Sequence, residues 1–358
     1  MITIEHLSKI YGPAGSVPAV NDVSFTVGSG EVCVLIGPSG CGKTTTLRMV
    51  NRLVTASAGR VLIDGRDTTT VDTVDLRRSI GYVIQQVGLF PNMTVEENVS
   101  VVPRLLGWDG PRMRARAAEL LSLVGLEPSV FLGRFPNQLS GGQQQRVGVC
   151  RALAADPPLL LMDEPFGAID PIGRESIQDE FLQMQQKLRK TVLLVSHDID
   201  EAVKLGDRIA IFRAGRLEQF GSPDEVLTSP ANAFVAGFLG ADRTLKRLRR
   251  FRAEQICQPI VLPASGSLEL MVDGAAGHVQ VDAQGCVVDV RVAGISVGKA
   301  SLPLQLDLRV VASELLALGV PWLPCVDAAG QMRGVVSLAA LSRHLAIPLS
   351  RQARAPDL

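Results

Sequence analysis

At 358 residues the chain exceeds one ordinary domain of roughly 100–200 residues and implies two or three. A hydrophobic share of 46% beside 20% charged residues excludes a disordered chain and supplies enough apolar side chains for a buried core. Thirty-six basic residues, 29 of them Arg, balance thirty-six acidic ones, which excludes nucleic-acid binding driven by bulk charge.

The N-terminus, Met1 to Glu5, offers neither a basic segment nor a long apolar run, so no secretory signal is expected. No stretch reaches the roughly eighteen apolar residues of a bilayer-crossing helix; Val310 to Val326 is 17 long but carries Glu314 and two prolines. The six cysteines are dispersed, with no CxxC pair, and predict free thiols in a reducing cytoplasm.

In chain order, apolar runs at Val32 to Ile36, Val61 to Asp64, Ile80 to Ile84, Leu159 to Met162, Val192 to Ser196 and Ile209 to Phe212 read as strands. They alternate with helical patterns such as Arg174 to Arg189, which predicts an α/β domain over 1–238. Between about 87 and 155 strand signals give way to helical periodicity, as in Met113 to Val124, so a helical subdomain is expected there. Residues 239–255 read as a basic linker, with six cations between Arg243 and Arg252. Residues 256–347 carry short strands and Gly-containing turns, with V-D-A-x-G at Val281 and again at Val326, a repeat spacing of 45. The polar tail, 348–358, is expected to fray.

Gly37-Pro38-Ser39-Gly40-Cys41-Gly42-Lys43-Thr44 fits GxxxxGK[ST] between a strand and a helical run. Glycines let the backbone wrap a phosphate, the N–H groups around Thr44 and Thr45 open the helix toward the anion, and Lys43 neutralises phosphate oxygens. The Thr44 hydroxyl suits Mg²⁺. Leu159 to Met162 ends in Asp163 and Glu164, and paired acids finishing a buried strand need a cation or a proton-transfer task. Asp163 suits the Mg²⁺ shell, and Glu164 can polarise a water for attack on a γ-phosphate. Cys41, inside the cradle near a helix N-terminus, is expected to be reactive and shielded by MgATP.

Leu139-Ser140-Gly141-Gly142-Gln143 matches LSGGQ, a second anion cradle at a helix start, and here the chain resembles the ABC ATPases over roughly residues 1–240. The resemblance implies a P-loop NTPase (RecA-like) core with a helical subdomain. It also implies a head-to-tail homodimer in which the signature of one copy closes on ATP held by the other. It assigns Gln85 to the loop that touches Mg²⁺, His197 to the γ-phosphate switch, Tyr11 to adenine stacking and Asp170 to the D-loop, where Ile169 replaces the usual Leu. Lys43 and Ser140 are 97 residues apart, which leaves no room for the coiled coil of chromosome-maintenance ATPases; a single P-loop disfavours translation-factor types. A P-loop kinase would leave Ser140 to Gln145 without a task.

Met49 to Leu53, Ile80 to Pro91, Val101 to Trp108 and Gly240 to Arg243 resemble the ATP-binding subunits of osmoprotectant importers, the glycine betaine, carnitine and choline group. That implies integral membrane permease subunits docking near Phe90 to Asn98, an extracytoplasmic solute-binding protein, and a peripheral place at the cytoplasmic face of the membrane. Alternatives are an importer ATPase for an amino acid or sulfonate, or a soluble regulatory ATPase without a permease. The basic run is either a solvated face or a patch for anionic lipid. Residues 256–347 resemble a small α+β pair of CBS-type copies, the first degenerate because it lacks a convincing helix between Leu268 and Ala276. Adenosine-binding members carry Asp three residues after a Thr or Ser. Here Ala340 follows Ser337 and Ile295 follows Val292, so dimerisation or tethering is the expected role rather than nucleotide sensing.

Overall fold

A computed structural model describes residues 1–13, 16–85, 88–167, 169–260 and 266–346. The frayed-tail expectation for 348–358, the start of the helical subdomain at 87 and position 168 of the D-loop lie outside them. The chain divides into two compact units, Met1–Phe238 and Leu239–Leu358.

The first unit contributes strands β1 (Ile2–Lys9), β2 (Val20–Val27), β3 (Val32–Ile36), β4 (Ala58–Ile63), β5 (Arg66–Asp67), β6 (Ile80–Val83), β7 (Leu159–Asp163), β8 (Thr191–Val195), β9 (Arg208–Arg213) and β10 (Arg216–Gly221). Its main sheet has the order β10-β9-β3-β8-β7-β6, parallel from β9 to β6 with β10 antiparallel at the edge. Strands β3, β7 and β8 are buried at every residue, as unbroken apolar runs require when both faces of a parallel sheet are covered. The run at Val61 joins a separate antiparallel sheet, β2-β1-β4-β5. There β2 alternates buried and open residues with period two from Val23 to Val27, so that stretch has one core face. Among the described residues of 88–155 there is no strand; the helices Val95–Val99, Val101–Leu105, Gly110–Leu123, Pro128–Phe131 and Gly141–Leu153 occupy that stretch. Among the described residues no helix is long and apolar enough to cross a membrane.

In the second unit the basic stretch is not a linker. It forms a helix at Arg243–Arg247 and 3-10 turns at Leu248–Arg250 and Ala253–Gln255. The cations are interleaved with Leu248 and Ala253, which are buried in this unit's core, and burial of those apolar residues decides the conformation where charge content suggested solvation. Strands β11 (Gln258–Pro259), β16 (Leu302–Pro303), β17 (Trp322–Val326) and β18 (Met332–Ser337) form one sheet in the order β11-β18-β17-β16. Strands β12 (Gly266–Val272), β13 (Ala275–Val281), β14 (Val287–Val292) and β15 (Ile295–Gly298) form an antiparallel meander. The described residues of the expected first copy, up to Gly298, hold no α-helix: hairpins fill the place where a paired domain would carry one. The two V-D-A-x-G turns are equivalent. Asp282 Oδ1 accepts from the N–H groups of Gln284 and Cys286, and Asp327 Oδ1 accepts from those of Ala329 and Gln331, all at 2.9–3.0 Å. They lie side by side, bridged between Cys286 and Gln331.

Candidate functional site

The carboxyl ends of β3, β7 and β8 are adjacent in the sheet, and the loops leaving them form one cleft, the usual place for a ligand in an open parallel sheet. Ala19, Ser39, Gly40, Cys41, Gly42, Lys43, Thr44, Thr45, Glu164 and His197 line it, around about 470 Å³. The loop after β3 turns tightly enough that only glycine fits at two points. At Gly37 a Cβ would lie 2.2 Å from the Phe212 carbonyl oxygen, and at Gly42, with φ 104, it would lie 2.5 Å from that of Ala19. Helix Lys43–Val50 starts at Gly42 with no side-chain cap, leaving its first N–H groups directed at the cleft. Lys43 is buried and donates to the carbonyls of Gly37 at 2.7 Å and Pro38 at 3.1 Å, so its ammonium is held within the loop.

Thr44 Oγ1 donates to Asp163 Oδ1 at 2.9 Å, and Arg48, one turn further along the same helix, reaches Asp163 Oδ2 at 3.5 Å. Asp163 is 3% exposed. A hydroxyl and a buried carboxylate, both hard oxygen donors side by side, fit a magnesium ion. Glu164 follows on left-handed backbone (φ 48), with its N–H bonded to the Val195 carbonyl at 3.0 Å. Its Oε2 accepts from Gln85 Nε2 at 2.9 Å and lies 3.4 Å from His197 Nδ1. One carboxylate is thus oriented by side chains leaving β6 and β8, the arrangement of a positioned general base.

Other sequence-derived residues are placed elsewhere. Ser140 caps helix Gly141–Leu153 in a capping box: Gln143 N–H donates to Ser140 Oγ at 3.3 Å, and Ser140 N–H to Gln143 Oε1 at 2.9 Å. Ser140 and Gly141 are exposed, Gly142 and Gln143 half-buried, and none of them lines the cleft of their own chain. Tyr11, 52% exposed, also stands outside the lining, with Lys9 Nζ 5.0 Å from its ring centroid. The Asp170 carbonyl accepts from the N–H groups of Gly173 and Arg174, opening helix Pro171–Leu188. The expectation of a reactive Cys41 is corrected. Cys41 borders the cleft, but the residue is only 3% exposed and packs in the first unit's core, and such burial opposes attack by a reagent.

Sequence reasoning missed Glu201. It lies in the first turn of helix Ile199–Leu205, which Asp198 caps, and is 6% exposed. Burial, and then the neighbouring Asp198, push its carboxyl up to about 8; Glu164 adds in the same direction, against Ser196 and Arg174. Arg174 links this corner to the D-loop, 4.0 Å from Asp198 and donating to the Ile169 carbonyl at 3.2 Å. An acidic residue in a helix's first turn is ordinary, so no local pattern singles out Glu201.

A glycine-lined cradle, a buried lysine, a hydroxyl–carboxylate pair and an oriented glutamate at the carboxyl edge of a parallel sheet define a P-loop nucleoside triphosphatase. Residues 20–167 match the family model described as ABC transporter. The chain is 50% identical to the osmoprotectant import ATP-binding protein OsmV of Salmonella typhimurium, over 99% of this chain and 98% of that one. It is 45% identical to the glycine betaine/carnitine/choline transport ATP-binding protein OpuCA of Bacillus subtilis, over 95% of each. Among solved structures it resembles the ATP-binding cassette MJ0796, a dimer in a post-hydrolysis state bound to ADP and Pi. That match has TM-score 0.56 and 36% identity, covering 62% of this chain and 98% of that one. The chain belongs to the ABC transporter ATP-binding proteins, in the branch of the osmoprotectant importers.

Proposed function

We propose that this chain hydrolyses ATP in a head-to-tail pair of copies and couples it, through integral membrane permease subunits, to uptake of a quaternary amine osmoprotectant such as glycine betaine, choline or carnitine. The observation that carries the pairing is that the helix start at Ser140–Gln143, read as a second anion cradle, does not line the cleft of Lys43. A second copy brings them together. The solute class rests on the names of full-length relatives, two of which are for glycine betaine/carnitine/choline and for choline transport. An extracytoplasmic binding protein delivers the solute, and the ATPase sits peripherally at the cytoplasmic face.

In this reading Tyr11 stacks on adenine, and Gly37, Ser39, Gly40, Gly42, Thr45 and the Cys41 backbone wrap the phosphates. Lys43 leaves its loop carbonyls for the β- and γ-oxygens. Thr44, Asp163 and Gln85 would hold Mg²⁺, which neutralises charge on the phosphates. Glu164 takes a proton from the attacking water, His197 holds the γ-phosphate, and Ser140, Gly141, Gly142 and Gln143 of the other copy close over it. Asp170 lines the junction of the copies. In the second unit, Leu308 to Leu345 is read as a CBS-type copy in a tethering or dimerisation module. Its Ser337 hydroxyl is already bonded to Asp273 in the β12–β13 turn, which supports a role without nucleotide. Arg243 to Arg252 would meet anionic lipid, gaining about 1 kcal/mol per cation near the surface.

The test mixes two inactive variants, Lys43→Ala and Ser140→Arg. Their mixed pair contains one site with an intact loop and an intact signature, so hydrolysis returns on mixing. No recovery from variants shown to form mixed pairs overturns the shared site. In reconstituted complexes, ATP-driven uptake of radiolabelled choline, betaine or carnitine is expected; uptake of none of them overturns the solute assignment.

A further inference from the structure

Two thiols of the second unit stand together. Cys325 in β17 is the cross-strand partner of Gly334 in β18, so their side-chain positions share a face of the sheet, Cβ to Cβ about 4.5–5.5 Å. On the other side of β18, β11 pairs Pro259 with Gly334 and brings in Cys257. Its Sγ lies 2.7 Å from where a Gly334 Cβ would stand. The sulfur of Cys257 therefore fills the space that glycine leaves, on the face that Cys325 shares. Cys325 is fully buried and Cys257 half-buried, and both are free thiols.

We propose that Cys257 and Cys325 form a thiol modification site, closing into an intramolecular disulfide under a low-molecular-weight disulfide such as oxidised glutathione and reopening under its thiol. In the first step Cys257 attacks a sulfur of the oxidant as thiolate. The oxidant's S–S bond breaks, a mixed disulfide forms, and the departing thiolate takes up the proton Cys257 lost. Then Cys325 gives up its proton and attacks Cys257 Sγ; the mixed bond breaks and the second glutathione thiolate leaves with that proton. The protein loses two electrons and the oxidant gains them. The roles follow from the surroundings. A hydrogen bond from the Cys325 thiol holds Cys257 below the ordinary thiol value against its partial burial, while that bond and burial push Cys325 up. The more accessible, more acidic thiol attacks, and the buried one resolves. The bond would close a loop containing the whole β12–β15 meander and tie the segment entering β11 to β17 of the same sheet.

The full-length chain is equilibrated in glutathione redox buffers, acid-quenched, alkylated and mapped by peptide mass spectrometry. The expected product lacks two hydrogens, maps to Cys257–Cys325 and disappears with excess thiol. Cys325→Ser should stop at a stable glutathione adduct on Cys257, Cys257→Ser should form neither product, and Cys286→Ser should behave as the parent. A parent protein that stops at the adduct, or whose bond maps to Cys286 or to a second copy, overturns the proposal. Thermal unfolding of the second unit in each variant, followed by calorimetry, reports that this unit is intact, and the parent's peptide map decides the matter without any variant.

Discussion

Glu164 receives bonds or close approach from two loops, so removing its charge while keeping its shape isolates the chemistry. Glu164→Gln should lower the rate of phosphate release by about 10²–10⁴ while nucleotide binding persists, measured by single-turnover hydrolysis and by nucleotide titration. Glu201 gives a prediction with a sign. Its folded value near 8 exceeds the ordinary 4.5, so the native state keeps a proton that the unfolded chain releases. Stability from this group is present below about 4.5, declines as pH rises and is lost above about 8. Glu201→Gln should therefore unfold at the same temperature as the parent near pH 4 and at a higher one near pH 9, by calorimetry. Cys41 should stay unmodified by maleimide in the folded protein with or without nucleotide. The residues of the cleft were legible because their spacing is set by backbone geometry: a phosphate loop needs glycines at fixed positions and acids at a strand's end. Glu201 and the burial of Cys41 were not, because their environment is supplied by elements distant in sequence.

On the proposed reading Ser140 both caps its own helix and meets the phosphate held by the other copy, and substitution can separate the two. Ser140→Asp keeps an N-cap oxygen and should preserve thermal stability, while its negative charge repels the phosphate of the other copy and stops hydrolysis. Ser140→Ala should cost about 1 kcal/mol and also lose hydrolysis. Asn98 shows how the segment assigned to the permease is held. It is fully buried, its amide donates to the carbonyls of Phe90, Met93 and Thr94, and its oxygen accepts from Phe90 N–H. Asn98→Ala should leave ATP hydrolysis near the parent's rate and lower the solute moved per ATP, compared in vesicles. Continuous apolar runs made the central strands readable to within about two residues, because burial on both faces leaves polar residues no place. The Arg243 to Arg252 stretch misled because clustered charge hid the apolar Leu248, Phe251 and Ala253 that bind it into a core.

At the scale of the molecule, the first unit's β-sheet core and the core of the second draw on separate residues. Two calorimetric transitions are expected, with MgATP raising the first and leaving the second in place. A single transition that moves as a whole with nucleotide would show that the units unfold together. The division near 238 was visible as a change of texture. The meander was not, since short strands with glycine turns describe hairpins and a paired α+β domain equally well until pairing partners are known. Stability and work are opposed at one point in this architecture. Glu164 keeps its carboxylate on a left-handed backbone that costs most L-residues roughly 1–2 kcal/mol and that glycine or asparagine adopts readily. A lineage selected for heat endurance alone would drift toward those residues at 164, and would arrive at a hardier protein that clasps its fuel and never burns it.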